Sequence, residues 1–304
     1  MVTEDKMSKS NKIRYSRGDK VFLGFDWIIM IVVFVIILYP LLFVIVASFN
    51  PGMTASKTLS LIPKHLSLEG YRVVFNYRRI WNGYLNSLYY TFVGTSINIV
   101  ITICAAYPLS RKDLFGKNVF MGLFVFTMYF SGGMIPIFLQ VKKLGLLNSL
   151  WAMVLPGALS VYNMIVMRTY FVTQIADDLR EASELDGCGN LRFLLSIVLP
   201  LSGPILAVIG LFYGVDHWNA YFDAMLYMTD NSKMPLQMVL RDILILNSDS
   251  TMLNSNPEEM LLAAERASLM KYSLILVASL PMMMLYPFAQ RYFVKGIMIG
   301  AVKG

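Results

Sequence analysis

Apolar residues come in long blocks along this chain, and the polar residues collect between them. A helix needs about 20 apolar residues to cross the hydrocarbon core of a bilayer. Six blocks approach that length, near 26–48, 85–109, 118–140, 149–171, 193–213 and 271–293. The pattern predicts an all-α, polytopic membrane protein with six transmembrane helices. It divides the chain into an N-terminal tail (1–25), a membrane domain (26–293) and a C-terminal tail (294–304). The fourth block contains Pro156 and Gly157, the fifth Pro200, Gly203 and Pro204, and the sixth Pro281 and Pro287. Simple kinks are the expected result, with breaks tolerated where helices line a cavity or pack on neighbours. The first block exceeds the roughly 7–15 apolar residues of a signal-peptide core, so it is expected to stay as a first span.

Composition strengthens this picture. Of 304 residues, 57% are hydrophobic and 15% charged, with a mean hydropathy of +0.59. Soluble domains carry about 25% charged residues. Cys104 and Cys188 lie far apart, and the histidines are only His65 and His217, so neither a disulfide framework nor a histidine-rich metal centre is expected. The net charge of +7 reads as membrane orientation rather than nucleic-acid binding, because no basic stripe is interleaved with aromatics on a soluble face. With both termini cytoplasmic, the inside segments hold 15 of the 26 basic residues, led by Lys6, Lys9, Lys12, Arg14, Arg17 and Lys20. Arg111, Lys112 and Lys117 count on the same side. Lys57, Lys64, Arg72, Arg78 and Arg79 of the 49–84 connection count against it. The orientation puts 49–84 and 214–270 outside and 172–192 inside.

The inside segment 172–192 departs from its apolar surroundings. Five acids fall within ten residues: Asp177, Asp178, Glu181, Glu184 and Asp186. Ile175, Leu179, Ala182 and Leu185 recur at helical spacing. Acids in a first turn suit the positive end of a helix dipole. Gly187 and Gly189 then permit a sharp reversal. Two readings follow from the residues alone: a short amphipathic docking helix, or a solvated acidic loop.

A longer pattern bears on that choice. Glu181-Ala182-Ser183, then Gly187, then Ile197-Val198-Leu199-Pro200 resembles the signature loop of permease subunits of bacterial binding-protein-dependent ABC importers. The family usually has Ala where Ser183 stands and commonly Pro where Ala176 stands. Further likeness is spread over nearly the whole chain. It includes Tyr107-Pro108-Leu109-Ser110-Arg111, Pro136 with Leu144-Gly145-Leu146 and Asn148-Ser149, Arg168-Thr169-Tyr170-Phe171, and Trp218-Asn219. It ends with Gln290-Arg291-Tyr292-Phe293 and Gly300 to Gly304. The chain is most similar to the carbohydrate branch, in particular the smaller permease of maltose-type importers and its oligosaccharide and polysaccharide relatives.

The resemblance implies a coupling helix between the fourth and fifth spans that sits in a cleft on a cytoplasmic ATPase. Glu181 would pair with a basic residue there, and Gly187 would form the bend behind the helix. Asp178, Ala182, Ser183, Asp186, Leu199 and Pro200 complete the implied docking set. Implied partners are a second permease subunit in a heterodimer, two ATPase subunits, an extracytoplasmic solute-binding protein and a carbohydrate, in the bacterial plasma membrane. ATP and Mg would be held by the ATPase subunits, with no cofactor on this chain.

Candidates for the substrate path are Tyr162, Asn163, Tyr213, Trp218, Asn219, Tyr221 and Phe222. Aromatic faces and amides suit the C–H faces and hydroxyls of sugars. Trp218, Tyr221 and Phe222 fit interfacial anchoring equally well, and Asn163 fits an interhelical hydrogen bond. Asp216 and His217 fall at a span end and are expected at the interface rather than in a proton relay. A secondary transporter would need paired repeats and mid-membrane charged or ion sites, and neither is evident. No catalytic residue is expected. Gly116-Lys117 is followed by Asn118, so no phosphate loop exists, and His-Glu-x-x-His is absent.

Overall fold

The computed structural model describes residues 16–50, 66–249, 269–287 and 290. The basic residues before Ser16, Lys57, Lys64, His65, the 250–268 segment and the C-terminal tail lie outside the described residues. All described secondary structure is helical.

The first helix, α1, spans Arg17–Phe49 and starts at a capping box. Ser16 Oγ accepts from the Asp19 amide at 3.2 Å, and Asp19 Oδ2 accepts from the Ser16 amide at 2.8 Å. Its most apolar stretch has no buried share against the rest of this chain. It joins the body near its C-terminal end, where Phe43 packs edge-on to Tyr272. Ser48 Oγ lies 2.7 Å from the Tyr71 hydroxyl, and the Ser48 carbonyl accepts from Ser273 Oγ at 3.3 Å. These two contacts fix α1 to α2 (Glu69–Asn76) and to the last described helix.

Helix α3 (Arg78–Ser110) is the axis of the molecule. Its buried positions include Gly83, Ser87, Tyr90, Gly94, Asn98, Thr102 and Ala106. Their spacing of three and four residues makes one stripe of mostly small or polar side chains. Lipid is as apolar as Leu, so such a stripe turns inward, where small residues let helices approach and polar ones find partners. The span expected at 85–109 therefore begins earlier, at Arg78, because Ile80 and Gly83 extend the same stripe.

The third and fifth expected spans are not single straight helices. The third is α4 (Lys117–Tyr129) and α5 (Met134–Lys143), bent by 108° at 130–133. The fifth is α9 (Asn190–Leu201) and α10 (Gly203–Trp218), bent by 82° at Ser202. Angles of this size are breaks rather than the kinks expected of isolated prolines. In α9 the Leu199 amide bonds to the Leu194 carbonyl, five residues back, just before Pro200. The wider π turn makes room for a proline ring that a regular helix would clash with. The fourth expected span, 149–171, is also not continuous. It consists of α6 (Leu150–Val154) and α7 (Val161–Gln174), separated around Pro156-Gly157.

Beyond the membrane-length elements come α8 (Asp177–Leu185), α11 (Phe222–Tyr227), α12 (Leu236–Asp249) and α13 (Leu269–Pro287). Among the described residues, α1, α3 and α13 are long and apolar enough to cross a membrane alone, and each bent pair passes when joined. The segment leading into α12 is tied to the start of α3. Ser87 Oγ accepts from the Leu236 amide at 2.8 Å, Tyr90 donates to the Lys233 carbonyl at 2.8 Å, and Arg79 pairs with Asp242 at 2.6 Å.

Helix α3 packs most extensively against α10, and also against α7 and α12. Helix α10 comes close to α3 at Gly94. A Cβ there would lie 2.5 Å from His217 Nε2. His217 is thus buried inside the bundle, at the end of α10. Only a residue without a Cβ lets the imidazole reach Asn98 one turn further, at 3.2 Å. We expect Gly94→Ala to displace His217 and lower stability by about 1–3 kcal/mol, the usual cost of overpacking. Thermal unfolding of the purified protein in detergent checks this; an unchanged midpoint would remove Gly94 as the determinant of the contact.

Candidate functional site

Helix α8 turns different faces inward and outward, a direction the residue pattern left open. Ser183 and Arg180 point toward the body of the protein, while Asp178, Glu181, Ala182 and Leu185 are exposed. At about 100° per residue, these four share one face. The expected apolar stripe is therefore split. Ile175 precedes α8 and packs inward, whereas Leu185 is 89% exposed. The inward face is held by ions instead.

Arg111, just past the end of α3, is the hub. Its guanidinium grips Asp113 through Nε at 2.8 Å and Nη2 at 2.7 Å, and reaches Glu184 at 3.7 Å. It also donates to the Asn190 side chain at the start of α9. Arg180 lies 3.5 Å from Asp113 and 3.6 Å from Glu184. Lys112 pairs with Asp177 in the first turn of α8. Arg168 near the end of α7 donates to the Leu109 carbonyl at 2.9 Å. The ends of α3, α7, α8 and α9 are thus one cross-linked unit. Its Arg111–Asp113 grip holds the Asp113 carboxyl down at about 2, and the same contact raises the Arg111 guanidinium. The Lys112 ammonium likewise lowers Asp177. Residue patterns missed Arg111, Lys112 and Asp113 as part of this site. Their signal was a mixed-charge triplet facing a mixed-charge loop.

The far end of α8 closes with a Schellman motif. Gly187 adopts φ +73°, a left-handed backbone that glycine reaches without a Cβ penalty. Its amide bonds to the Glu184 carbonyl at 3.0 Å, and the Cys188 amide bonds to the Ser183 carbonyl at 2.9 Å. Asp186 is the exposed residue before this bend. The Ser183 hydroxyl is satisfied inside its own helix by the Arg180 carbonyl at 2.7 Å, so Ser fits where Ala is usual. Leu199 and Pro200 do not join α8. They stand at the opposite end of α9, about 15 Å along the axis from Asn190, where they shape the π turn.

The candidate path residues separate into three groups. Trp218 is a correction: it is 1% exposed, donates to the Ala278 carbonyl at 3.0 Å and packs edge-on to Tyr84. It locks α10 to α13 and, being buried, lines no path. Tyr213 is buried but touches the polar seam, where its hydroxyl meets Thr102 Oγ1 at 2.7 Å and accepts from the Ser160 amide at 3.1 Å. Asn163 is buried in the first turn of α7, with its amide capped by Ser160 Oγ. Tyr162, Tyr221 and Phe222 are exposed, and Asn219 is exposed while its side chain caps the end of α10 through the Val215 carbonyl at 2.9 Å. Behind them, Asn98, Ser160, Tyr213, Asp216, His217 and Asp223 line one cavity.

Arg111→Gln should loosen the cross-linked unit. We expect amide exchange over 177–189 to accelerate about tenfold while α3 and α10 stay protected, measured by mass spectrometry on purified protein. Asp113 sets the pH dependence. Its folded value lies below the unfolded value of about 3.9, so its contribution is complete above that pH and is lost as pH falls toward about 2. Exchange over α8, corrected for intrinsic rates, should be level between about pH 7 and 5 and rise below about 4.

No family model matches the chain. Among curated proteins, the polygalacturonan/rhamnogalacturonan transport system permease protein YtcP of Bacillus subtilis (strain 168) is 42% identical over 273 residues, covering 87% of this chain and 92% of that protein. Protein LplC of the same organism is 39% identical over 270 residues, covering 88% and 90%. In a crystal structure of a bacterial ABC transporter involved in the import of the acidic polysaccharide alginate, one chain matches with a TM-score of 0.82 and 30% identity over 92% of this chain and 99% of that one. Identity at this level over most of both lengths, on an all-helical fold of matching shape, makes this chain a multi-pass membrane protein of the carbohydrate ABC transporter permease family.

Proposed function

We propose that this chain is the permease subunit of an ATP-driven importer and forms half of the translocation path for an oligosaccharide or polysaccharide. The carrying observation is α8. Asp178, Glu181, Ala182 and Leu185 present a mixed acidic and apolar face outward, on a helix clamped from behind by Arg111 and closed by Gly187. Glu181 and Asp178 have no ion-pair partner among the described residues. An exposed Leu beside unpaired acids fits a partner with an apolar cleft and a basic rim. In this proposal that partner is an ATPase subunit on the cytoplasmic side, and it carries the ATP and Mg.

The clamp supports a mechanical role. A push on α8 reaches α3 through Arg111–Asp113 and Glu184, and α9 through Asn190. Rigid elements of this kind carry domain motions better than loops do. Six spans, counting 149–171 as one interrupted span, place both termini and α8 on the same side. A second permease subunit supplies the other half of the path, and an extracytoplasmic binding protein delivers the sugar toward the 230–249 side. Tyr162, Asn163, Tyr213, Asn219, Tyr221 and Phe222 remain the path candidates. Relatives named for polygalacturonan/rhamnogalacturonan and arabinooligosaccharide transport support a saccharide polymer as cargo.

Glu181→Lys reverses one charge on the open face without touching the clamp. We expect it to abolish ATP-dependent uptake while the chain still inserts in the membrane, because losing one member of a desolvated charge pair costs about 2–5 kcal/mol at an interface. Uptake at the wild-type rate in cells carrying the complete transporter would sink the docking role.

A further inference from the structure

The 108° bend between α4 and α5 leaves backbone groups without partners. The carbonyls from Thr127 to Gly132 and the amides from Ser131 to Ile135 make no hydrogen bond to any described residue. Every residue of 126–137 is exposed on this chain. Gly133 holds the bend with φ 86° and ψ 171°, a backbone region that essentially only glycine occupies. The depth of the bend makes the open backbone consequential. Helix α4 starts beside the clamp, where Lys117 Nζ donates to the Arg111 carbonyl at 3.2 Å. Its 13 residues rise about 20 Å, well short of the roughly 30 Å of hydrocarbon in a bilayer. With the clamp on the cytoplasmic side, the bend lies inside the hydrocarbon core.

Lipid, water and protein can surround a segment at that depth, and only protein suits this one. No charged side chain occurs between 119 and 139, and Tyr129, Phe130 and Ile135 are 74%, 67% and 66% exposed. Lipid suits these side chains but offers no hydrogen bond to the free amides and carbonyls. Water in an open path would satisfy the backbone but leave Phe126, Phe130, Met134 and Ile135 wet. An apolar protein surface that carries hydroxyl or amide side chains satisfies both. Of the partners in the permease reading above, on which this inference rests, only the second permease subunit lies in the membrane. We propose that the α4–α5 bend is an interface with that subunit. The partner packs apolar side chains on the Phe126–Phe130 pair, whose rings stack at 4.6 Å, and hydrogen-bonds the open backbone of 130–133 through hydroxyl or amide groups. This adds to the permease reading a surface by which the two halves meet, separate from α8.

The test uses the complete transporter in nanodiscs, with its assembly verified by size-exclusion chromatography. The photoreactive aromatic p-benzoylphenylalanine replaces Tyr129 or Phe130, both exposed aromatics whose size it approximates. After irradiation, peptide mass spectrometry should identify adducts with the second permease subunit. Adducts only with phospholipid, adducts only with a second copy of this chain, or no adduct at either position would overturn the interface. Water access is measured separately on Ser131→Cys in a Cys104→Ala/Cys188→Ser background. Its reaction with a membrane-impermeant methanethiosulfonate should be at least about tenfold slower in the assembled transporter than after unfolding in SDS, without nucleotide and with ATP and vanadate alike. Reaction at the unfolded rate in either state would put the bend on a water-filled path and also overturn the interface. A transporter that purifies without a second permease would instead overturn the heterodimer reading; a second permease that is present but not crosslinked overturns the interface alone.

Discussion

The approach of α10 to α3 at Gly94 is the constraint around which the rest is arranged. With no Cβ at Gly94, the His217 ring sits against the α3 backbone. That brings Asn98 to His217 and Thr102 to Tyr213, and it draws Ser160 at the start of α7 to the Tyr213 hydroxyl. Each bond satisfies a buried polar group that would be costly to leave unpaired. The interrupted segments survive for this reason. In the 155–160 stretch between α6 and α7, Pro156, Gly157 and Ser160 border polar side chains of α3 and α10.

The same helix α3 connects the two ends of the molecule. Near its start it holds the 232–242 segment through Arg79, Ser87 and Tyr90. Past its end, Arg111 holds α8 and α9. Arg111 is the least exposed member of the clamp, and it makes a two-pronged contact with Asp113. An isolated surface ion pair contributes little, but a bidentate hub that joins the end of α3 to α8 and α9 also fixes geometry. Helix α8 and helix α10 are therefore linked through α3 and α9. The α9–α10 bend at Ser202 and the π turn before Pro200 lie between them.

Much of the architecture was legible in the residue order. Hydrophobic blocks near 26–48, 85–109 and 271–293 correspond to α1, α3 and α13, because long apolar runs have no other stable solution in lipid. Gly187 announced the end of α8, since its left-handed backbone is a local property. The sidedness of α8 was not legible. Leu179, Ala182 and Leu185 read as one apolar face of unspecified direction, and inward packing went to Arg180 and Ser183 because Arg111 and Asp113 wait there. That complementarity joins residues about 70 apart, and local periodicity carries no trace of it. Trp218 misled for a similar reason. An aromatic at a span end fits an anchor, and only the position of Ala278 on α13 turns it into a core lock.

The chain by itself determined the class of the molecule: its helical membrane character, its acidic loop, its bend glycine and its family likeness. These rest on hydrophobic run length, backbone sterics and short-range spacing, all of which act between near neighbours. Only the tertiary structure decided which spans break, which face of α8 is free, and which polar groups are left unpaired. Those outcomes depend on which distant side chains meet. Asn98 shows the difference most simply: its Nδ2 is satisfied by a histidine from another helix, a meeting that no local pattern encodes.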